Sequence, residues 1–365
     1  MAPRPEPAPS ARIGVGMSGG LDSSVVAALL HEQGYEVIGL TLHMFREGSR
    51  CCSADDIDRA RRVCDFLGIA HSTINVVDYF QEAIVQPFVE EYMRGRTPSP
   101  CVHCNQYVKF GALHTRAMQM GCAFVATGHY VKVELRADGY HLLCASDRHK
   151  DQSYFLHRLS QVQLSRCLFP LESWHKPEVA AYAERRALPV SSEAKAESQD
   201  LCFVSDEGHG PFLETVHPEL KQRGEIVDSG GTTLGTHPGY HHFTVGQRRG
   251  LGVAASGRLY VQYIDPVANR IVVGGREALL TRECTVDDVH WIAEHPPPVG
   301  LRCQVRIRYR TPAAPAELTV SSPRRVHVHF DKPQFAIAPG QAAVIYLEEE
   351  VLGGGWIGGP YRSSH

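Results

Sequence analysis

The stretch Arg12–Ser24, RIGVGMSGGLDSS, decides the fold class of this chain. It begins with a short apolar run of the kind that forms a buried strand, and Leu21–His31 continues as a helix. Tyr35–Leu42 is a second apolar run typical of a strand, which gives a strand–helix–strand unit. Further runs as far as Ala123–Thr127 alternate with helical patterns. The sequence therefore predicts an α/β domain with a mainly parallel sheet.

The loop Ser18–Ser23, between the first strand and the first helix, is suited to holding an anion. Its two glycines let backbone N–H groups approach a ligand closely, and the helix amino terminus adds partial positive charge. The loop lacks the lysine of a GxxxxGK[ST] motif, so we do not expect it to hold a transferable γ-phosphate. A pyrophosphate leaving group fits better. The plain alternative is a glycine-rich turn without a ligand.

The second half of the chain has a different character and predicts further domains. At 365 residues the chain is longer than one hydrophobic core usually grows. After about residue 205 short β-type runs replace the helical patterns, and two of them flank the turn Asp265-Pro266 as a hairpin. Four more, which fit a small β-barrel, lie at Leu301–Arg310, Ala316–Val320, Arg325–Phe330 and Ala342–Leu347. We expect a disordered tail at 1–10, an α/β catalytic domain at 11–207, a central mixed or β domain at 208–280 and a C-terminal β-barrel at 281–362.

Composition narrows the classes of function. No stretch approaches ~20 uninterrupted apolar residues, and the first ten residues lack the apolar run of a signal peptide, so we expect a cytoplasmic protein without membrane contact. A net charge of −3 excludes a generally basic nucleic-acid binder and requires any RNA site to be a local patch. Eleven cysteines without a secretion signal indicate thiols for catalysis or metal binding rather than structural disulfides.

The Ser18–Ser23 run resembles the signature of the PP-loop family, whose members split ATP into AMP and pyrophosphate to activate a carbonyl oxygen. The resemblance implies an adenine nucleotide alpha hydrolase-like fold with ATP and Mg²⁺ as cofactors. It also implies that Leu42 cradles adenine and that the backbone of Gly128 passes close to the nucleotide, although Leu42 alone would be a core residue. The residues expected to bind ATP are Gly16, Met17, Ser18, Gly19, Gly20, Leu21, Asp22, Ser23, Leu42 and Gly128.

Six further strings narrow the resemblance. They are Thr97–Asn105 (TPSPCVHCN), Ala126–Tyr130 (ATGHY), Lys150–Leu156 (KDQSYFL), Glu197–Phe203 (ESQDLCF), Gly246–Gly252 (GQRRGLG) and Gly340–Val344 (GQAAV). Together they look like the tRNA-specific 2-thiouridylase family, over about residues 12 to 358. The resemblance implies that ATP adenylates the 2-oxygen of the wobble uridine in tRNA for Lys, Glu and Gln. Sulfur then displaces AMP, which gives 2-thiouridine.

By the same resemblance, Cys202 receives a persulfide and Cys104 is the nucleophile that releases the sulfur, leaving a disulfide between Cys104 and Cys202. Cys104 lies beside the start of a predicted helix, where a thiolate is favoured. The sequence leaves the sulfur donor open between a carrier protein, a cysteine desulfurase and free sulfide. The alternative is that both cysteines are buried structural residues. For Cys51 and Cys52, adjacent in a loop, we favour a structural or incidental role.

Cys101 departs from the family pattern, which has Asp at this position. Cys101, Cys104 and Cys202 could therefore hold a [4Fe-4S] cluster with one iron open to hydrosulfide, as in other cluster-dependent tRNA thiolases that the chain then resembles. Zinc on the same cysteines is less attractive, because it would occupy the nucleophile without carrying sulfur. The persulfide relay and the cluster both stay open at this point.

The resemblance also implies that the central domain 208–280 binds tRNA and that specific tRNA contacts lie in the α/β domain and the barrel. They are Ser99, Pro100, Cys101, His129, Lys150, Asp151, Gln152, Arg308, Tyr309 and Gln341. Asp151 is in addition a candidate acid or base in the adenylation step. Arg306, Arg308 and Arg310 alternate as on one face of a strand, which is also how a solvated barrel strand looks.

Two other classes of function remain as alternatives. Another PP-loop ligase or amidotransferase would use the same adenylation on a small carboxylate or a purine, but it would not need Cys104, Cys202 or a C-terminal barrel. A non-catalytic RNA-binding protein would not need the intact loop Ser18–Ser23. Pyrophosphate release that depends on tRNA distinguishes the enzyme from the binding protein.

Overall fold

The computed structural model describes residues 7–8, 10–45, 54–190, 201–204, 207–254 and 257–359. Most of the expected tail, the pair Cys51 and Cys52, and the first part of the Glu197–Phe203 string therefore lie outside the described residues. Within the described ranges no helix is both long enough and apolar enough to cross a membrane.

The strands fall into three sheets. In chain order they are β1 (Arg12–Gly16), β2 (Glu36–His43), β3 (Ala70–Asn75), β4 (Phe124–Ala126), β5 (Val131–Arg136), β6 (Gly139–Cys144), β7 (Cys167–Leu168), β8 (Gly224–Asp228), β9 (Thr233–His237), β10 (Tyr260–Asp265), β11 (Arg270–Gly274), β12 (Leu280–Trp291), β13 (Arg302–Arg306), β14 (Ala314–Ser322), β15 (Arg325–Phe335), β16 (Ala342–Leu347) and β17 (Glu350–Gly359).

Helices are concentrated before residue 220. They are α1 (Leu21–Glu32), α2 (Ala54–Leu67), α3 (Val77–Phe80), α4 (Gln86–Met93), α5 (Pro100–His103), α6 (Leu113–Gln119), α7 (Ser153–Leu156), α8 (Gln161–Arg166), α9 (Lys176–Arg185) and α10 (His209–Val216). π-Helical segments at Gln81–Val85 and Cys104–Ala112 join α3 to α4 and α5 to α6. Short 3-10 turns lie at Pro218–Leu220, Tyr240–His242 and Arg276–Leu279.

The first sheet confirms the predicted α/β domain. Its five strands run parallel in the order β3-β2-β1-β4-β7. Ile13 and Val15 on the central strand β1 are fully buried, and Val25 and Val26 of α1 pack in the same core. A strand that is covered on both faces needs an almost continuous apolar run, which explains why residues 12–17 lack polar alternation.

The second sheet has the order β10-β11-β8-β9. The predicted hairpin is confirmed, since β10 and β11 pair antiparallel. The carboxylate of Asp265 closes their turn by accepting hydrogen bonds from the backbone N–H groups of Val267 (3.1 Å) and Ala268 (3.0 Å).

The third sheet closes into the expected barrel. Six strands follow the order β12-β15-β14-β13-β16-β17, and β17 pairs back onto β12. Apolar side chains from all around the ring fill the interior, among them Val286, Val305, Leu318, Phe330 and Ile345. Closure satisfies the backbone groups of both end strands.

A hairpin from the α/β half extends the barrel sheet, which the sequence did not predict. Strand β6 pairs antiparallel with β17, with Leu143 opposite Glu350. The Glu350 carboxylate also accepts from Arg136 Nη1 at 2.6 Å and lies 2.7 Å from His141 Nδ1. The α/β half and the barrel therefore share one hydrogen-bonded sheet.

The expectation that Arg306, Arg308 and Arg310 alternate on one face of a strand is wrong. Strand β13 ends at Arg306, so Arg308 and Arg310 do not continue a strand face. Arg308 lies in the following turn, where its carbonyl oxygen accepts from the N–H (3.2 Å) and the hydroxyl (2.9 Å) of Thr311. Its guanidinium donates to the carbonyl of Ala336, which holds the side chain back against the barrel.

A second link between the α/β half and the barrel is the buried guanidinium of Arg158. It donates to Gln106 Oε1 at 2.9 Å, to the carbonyl of Asp288 at 2.8 Å and to the Asp288 carboxylate at 3.0 Å. Arg324 pairs with the same carboxylate, but 75% of its side chain is exposed, against 8% for Arg158.

We expect Arg158→Ala to lower the free energy of unfolding by about 2 kcal/mol or more, because buried charge-assisted hydrogen bonds are lost. Arg324→Ala, which removes an exposed pair on the same carboxylate, should lower it by less than about 1 kcal/mol. Urea unfolding followed by circular dichroism measures both. Equal losses of unfolding free energy in the two variants would contradict the prediction that the buried hydrogen bonds of Arg158 stabilise the protein more than the exposed pair of Arg324.

Candidate active site

The loop after β1 has the conformation that its glycines predict. Gly19 has φ +71°, and a Cβ there would lie 2.6 Å from the carbonyl oxygen of Asp56, so no other residue fits. The hydroxyl of Ser23 accepts from the N–H of Ser18 at 3.3 Å and donates to the carbonyl of Gly20 at 3.1 Å. Ser23 thereby fixes the loop at the amino terminus of α1.

A cavity of about 210 Å³ opens beside this loop. It lies at the carboxyl ends of β1, β2 and β4, where ligands bind in open α/β sheets. Its lining residues are Gly16, Met17, Ser18, Asp22, Ser23, Leu40, Leu42, Met44, Lys109, Leu113, Thr127, Gly128, His129 and Gln152. Seven of the ten residues expected to bind ATP are thus brought together; Gly19, Gly20 and Leu21 do not line the cavity.

The cavity has an apolar wall and a polar one, as a purine nucleotide requires. Leu40, Leu42, Met44 and Leu113 form the apolar part. Sequence reasoning found only Leu42. Met44 could have been found from the two-residue period of the strand, whereas Leu113 and Lys109 come from the helical segment after Cys104 and need the tertiary structure.

Gly128 approaches the loop more closely than any side chain would allow. A Cβ on it would lie 2.9 Å from Cβ of Asp22 and 3.0 Å from the backbone nitrogen of Ser23. The turn after β4 is therefore packed directly on the first residues of α1. This contact shapes the polar side of the cavity.

Asp22 is held by a cation that the sequence did not point to. Both carboxylate oxygens of Asp22 contact Lys176 Nζ, at 2.8 and 2.7 Å, and one accepts from the hydroxyl of Tyr130 at 2.9 Å. Lys176 is the first residue of α9 and is separated from Asp22 by 154 positions. It places positive charge next to the anion loop.

His129 lies in the cavity as a neutral imidazole. Burial, and secondly the charge of Lys109, keep the pKa of His129 well below 6.5. Its Nδ1 is 2.8 Å from the hydroxyl of Thr127. His129 can therefore exchange hydrogen bonds with a base but adds no positive charge for RNA at neutral pH.

Gln152 is fixed at the cavity by reciprocal hydrogen bonds with Tyr130. Its backbone N–H donates to the Tyr130 carbonyl at 2.9 Å, and its side-chain oxygen accepts from the Tyr130 N–H at 3.0 Å.

Asp151 is buried and does not line the cavity. Its carboxylate accepts from the N–H of Ala145 (3.1 Å) and the hydroxyl of Ser153 (2.8 Å). This geometry suits a residue that shapes the turn; the acid or base role stays a prediction.

The helix that carries Cys104 starts earlier than expected. It begins at Pro100, since proline is preorganised for the first helical position, and Cys101 therefore lies in the first turn. Cys104 lies one turn further in, as the first residue of the π-helical segment. The expectation that Cys104 adjoins the helix start is wrong, and the favourable end of the helix dipole falls on Cys101 instead.

Cys104 and Cys202 belong to one apolar cluster. Cys104 is buried in it together with Leu42 and Leu113 of the cavity wall, and the half-buried Cys202 packs against it. Phe203, the residue after Cys202, fixes this segment by edge-to-face contacts with Phe80 (5.9 Å) and Phe88 (5.1 Å) of the same cluster. The structure thus brings both cysteines to the cluster that walls the nucleotide cavity.

The barrel reaches the Cys101 segment through Gln341. Its amide nitrogen donates to the carbonyls of Thr97 (2.9 Å) and Pro98 (3.0 Å), directly before Ser99. Tyr309 also faces the α/β half, with its ring 4.4 Å from that of Phe155. Of the expected barrel contacts to tRNA, Gln341 therefore lies beside Ser99, Pro100 and Cys101, and Tyr309 packs on the string that contains Asp151 and Gln152.

The three cysteines do not form a preassembled zinc site. A tetrahedral zinc with bonds of about 2.3 Å requires sulfurs closer than about 4 Å to each other. Among the described residues, the sulfur atoms of Cys101, Cys104 and Cys202 do not all lie within 4.8 Å of one another. A [4Fe-4S] cluster is larger than a zinc ion and holds its cysteine sulfurs further apart, so the zinc distance does not test it.

Known proteins match the chain along almost its whole length. A model described as the tRNA methyl transferase HUP domain matches residues 11–206, one described as the tRNA methyl transferase PRC-barrel domain matches 211–275, and one described as the aminomethyltransferase beta-barrel domain matches 281–357. The tRNA-specific 2-thiouridylase MnmA of Geobacter metallireducens is 46% identical over 357 residues, which cover 95% of this chain and 96% of that protein. The chain belongs to the tRNA-specific 2-thiouridylase family. A second member, from Synechococcus sp. (strain JA-3-3Ab), is 47% identical over 348 residues, covering 94% of this chain and 93% of that one.

Solved structures are more distant from this member of the family. A 4-thiouridine synthetase in complex with RNA and ATP is 15% identical, with a TM-score of 0.33, over 48% of this chain and 40% of that one. Likeness at this level carries no functional argument. The family assignment rests on the full-length relatives, and it confirms the resemblance found in the motifs.

We expect Gly128→Ala to weaken ATP binding by about tenfold or more, which is about 1.4 kcal/mol, because the added Cβ would push the turn away from Asp22 and Ser23. Gly16→Ala is the control, since that glycine also lines the cavity but its Cβ would only make ordinary contact with Thr127, at 3.5 Å. Calorimetric titration with a non-hydrolysable ATP analogue measures both. A stronger loss in Gly16→Ala would contradict the close approach as the cause.

Proposed function

We propose that this chain is an ATP-dependent tRNA-uridine 2-sulfurtransferase. It adenylates the 2-oxygen of the wobble uridine of tRNA and replaces that oxygen by sulfur, producing 2-thiouridine, AMP and pyrophosphate. The observation that carries the proposal is the apolar cluster that contains Cys104, receives Cys202 and forms the wall of the nucleotide cavity. A persulfide relay needs two thiols beside an adenylation site, whereas a PP-loop ligase that activates a carboxylate or a purine has no need for them.

The first step activates a poor leaving group. The 2-oxygen of the uracil attacks the α-phosphorus of ATP, a new oxygen–phosphorus bond forms, and the bond to the β-phosphate breaks to release pyrophosphate. The loop Ser18–Ser23 holds the departing phosphates through backbone N–H groups and the α1 amino terminus. Lys109, which lines the cavity, and Lys176 supply positive charge where negative charge accumulates.

Asp22 is the residue that would hold Mg²⁺. Mg²⁺ commonly takes one or two carboxylates together with substrate phosphates, and Asp22 is a carboxylate that lines the cavity beside the anion loop. When bound, the ion would neutralise phosphate charge. Without the ion, Lys176 neutralises the charge of the Asp22 carboxylate by contacting both of its oxygens.

The second step transfers sulfur. A donor, either a carrier protein or a cysteine desulfurase, loads Cys202 as a persulfide. The terminal sulfur attacks the activated ring carbon and AMP leaves. Cys104 then attacks the Sγ of Cys202, which forms a Cys104–Cys202 disulfide and leaves the second sulfur on the uridine. A cellular dithiol must reduce this disulfide before the next turnover, so that two electrons enter per sulfur.

The tRNA would lie across the Cys101 segment, the cavity mouth and the barrel. Gln341 and Thr97 join the barrel to the segment with Ser99, Pro100 and Cys101. In the central domain the string Gly246–Gly252 presents the exposed guanidinium groups of Arg248 and Arg249. A local basic patch of this kind satisfies the requirement set by a net charge of −3. We propose the acceptors for Lys, Glu and Gln as substrates and the cytoplasm as the location.

Substitution of either relay cysteine should separate the two steps. We expect Cys104→Ser and Cys202→Ser to lower thiolation of a tRNA transcript by at least about a thousandfold, because each removes an obligatory thiol. Pyrophosphate release that requires tRNA should persist in both. Thiolated nucleoside is measured by mass spectrometry after digestion, with ATP and a persulfide donor.

Cys122→Ser is the matched control, because Cys122 is a buried member of the same apolar cluster but lies outside the motifs. It should keep thiolation. Full thiolation by Cys104→Ser, or an equal loss in Cys122→Ser, would contradict the relay.

The second candidate is the same reaction with a [4Fe-4S] cluster, favoured by one observation, the thiol of Cys101 one helical turn before Cys104. Cys101, Cys104 and Cys202 would hold such a cluster and leave one iron open. When bound it would carry hydrosulfide to the activated base.

Cys101→Asp decides between the two, since it restores the family residue while removing the third thiol. We expect anaerobically purified wild-type protein to contain no stoichiometric iron and Cys101→Asp to retain thiolation within about tenfold. Cys101→Ala reports the loss of the thiol without a new carboxylate. Iron and labile sulfide are assayed on the same samples, and joint loss of iron and activity in both variants would establish the cluster instead.

A further inference from the structure

The central domain contains a compact group of three metal-ligating side chains away from the proposed active site. Glu214 lies on α10, and His241 and His242 lie on the 3-10 turn Tyr240–His242. Nε2 of His242 is 2.8 Å from Oε1 of Glu214, and Nε2 of His241 is 3.3 Å from the same oxygen. In the part of the chain that the structure describes, this is the set whose ligand atoms all lie within 4.8 Å of one another.

Two glycines make room for the imidazole rings. A Cβ on Gly210, in the first turn of α10, would overlap the ring of His242, and a Cβ on Gly239 would overlap the ring of His241. Gly210 therefore leaves the space that the His242 ring occupies beside Glu214, and Gly239 leaves the space for the ring of His241.

The donor set suits a divalent cation, since two imidazole nitrogens and one carboxylate oxygen lie close together. Metal ions bind neutral imidazole and ionised carboxylate. Nδ1 of the buried His241 has no hydrogen-bond partner in the described structure.

Among the described residues, Lys221 pairs with this group, with its Nζ 3.6 Å from Oε2 of Glu214. Its side chain is 74% exposed, so it can turn into solvent when a cation arrives. Without a metal, two imidazole N–H groups would donate to one carboxylate oxygen while the other oxygen faces Lys221. That hydrogen-bond network is the alternative to be tested.

We propose that Glu214, His241 and His242 bind Zn²⁺, with water in the remaining coordination position. Two histidines and one glutamate are an established zinc ligand set, and none of the three residues takes part in the proposed thiolation. The site is therefore independent of the proposed function.

The ion would cross-link α10, through Glu214, to the turn Tyr240–His242 of the central domain. On its other side α10 packs Leu213 into the apolar cluster that contains Cys104, and Phe212 lies 5.4 Å from Phe203, next to Cys202. Tyr240, on the histidine turn, donates its hydroxyl to the carbonyl of Met93 at 3.0 Å. Zn²⁺ would thus hold together the helix that follows the Cys202 segment and the turn that contacts α4.

Cobalt substitution of the full chain tests the site. Chelator-treated protein, kept reduced and anaerobic, is titrated with Co²⁺, and one equivalent should give visible d–d absorption without the near-ultraviolet band of thiolate ligation. Zn²⁺ should displace this equivalent. The absence of the thiolate band separates the site from the cysteines.

His242→Gln should weaken this binding by about 100-fold or more, since even second-shell changes weaken metal sites 10- to 100-fold. Glu214→Gln, which keeps the size and an acceptor oxygen, should weaken it as well, and serves if His242→Gln does not fold. His217→Gln is the matched control, because His217 forms an exposed pair with Glu219 at 2.7 Å on the same segment and should leave the site intact.

Zn²⁺ should also raise the melting temperature of wild type and His217→Gln, but not of the two site variants. The proposal is overturned if wild type and Glu214→Gln bind the same number of Co²⁺ ions with the same spectrum. It is equally overturned if every bound Co²⁺ shows thiolate absorption.

Discussion

The helical segment from Pro100 to Gln119 is the element on which the site depends. Its first turns carry Cys101 and Cys104, and its later part places Lys109 and Leu113 in the nucleotide cavity. The π-helical register of Cys104–Ala112, with hydrogen bonds five residues apart, continues the helix from Cys104 into α6. One continuous segment can therefore serve both the adenylation pocket and the thiol chemistry.

The barrel is tied to this segment by hydrogen bonds rather than by a linker. Gln341 holds the residues before Ser99, Arg158 joins Gln106 of the π-helical segment to Asp288, and β6 adds the α/β half to the barrel sheet. A base bound between the two halves would meet a surface whose parts are fixed relative to each other. Preorganisation of this kind lowers the cost of ordering the site when tRNA binds.

The parts of the fold that follow from local physics could be predicted. The buried strand and the glycine loop of Arg12–Ser24, the Asp265-Pro266 hairpin and four of the six barrel strands, β13 to β16, came from patterns within a few residues, whereas β12 and β17 were not predicted. Lys176 and Asp22 are 154 positions apart, and no sequence pattern near either residue predicts their contact. The β5–β6 hairpin was a local miss, since Asp138-Gly139 lies at its turn, whereas its pairing with β17, about two hundred residues away, has no local signal. The start of the Cys104 helix was a local error, since the helix was expected to begin beside Cys104, whereas Pro100 is its first residue.

Charge placement explains how a slightly acidic protein can act on RNA. The net charge of −3 is an average over the chain, whereas Lys109 and Lys176 lie at the phosphate loop and Arg248 and Arg249 are exposed in the central domain. His129, buried and neutral, offers hydrogen bonds at the cavity without adding to that charge. Under the proposed function these cations would attract phosphates while His129 would contact a base, so backbone attraction and base contact would fall to different residues. That division would keep the nucleotide cavity selective while the wider surface attracts tRNA.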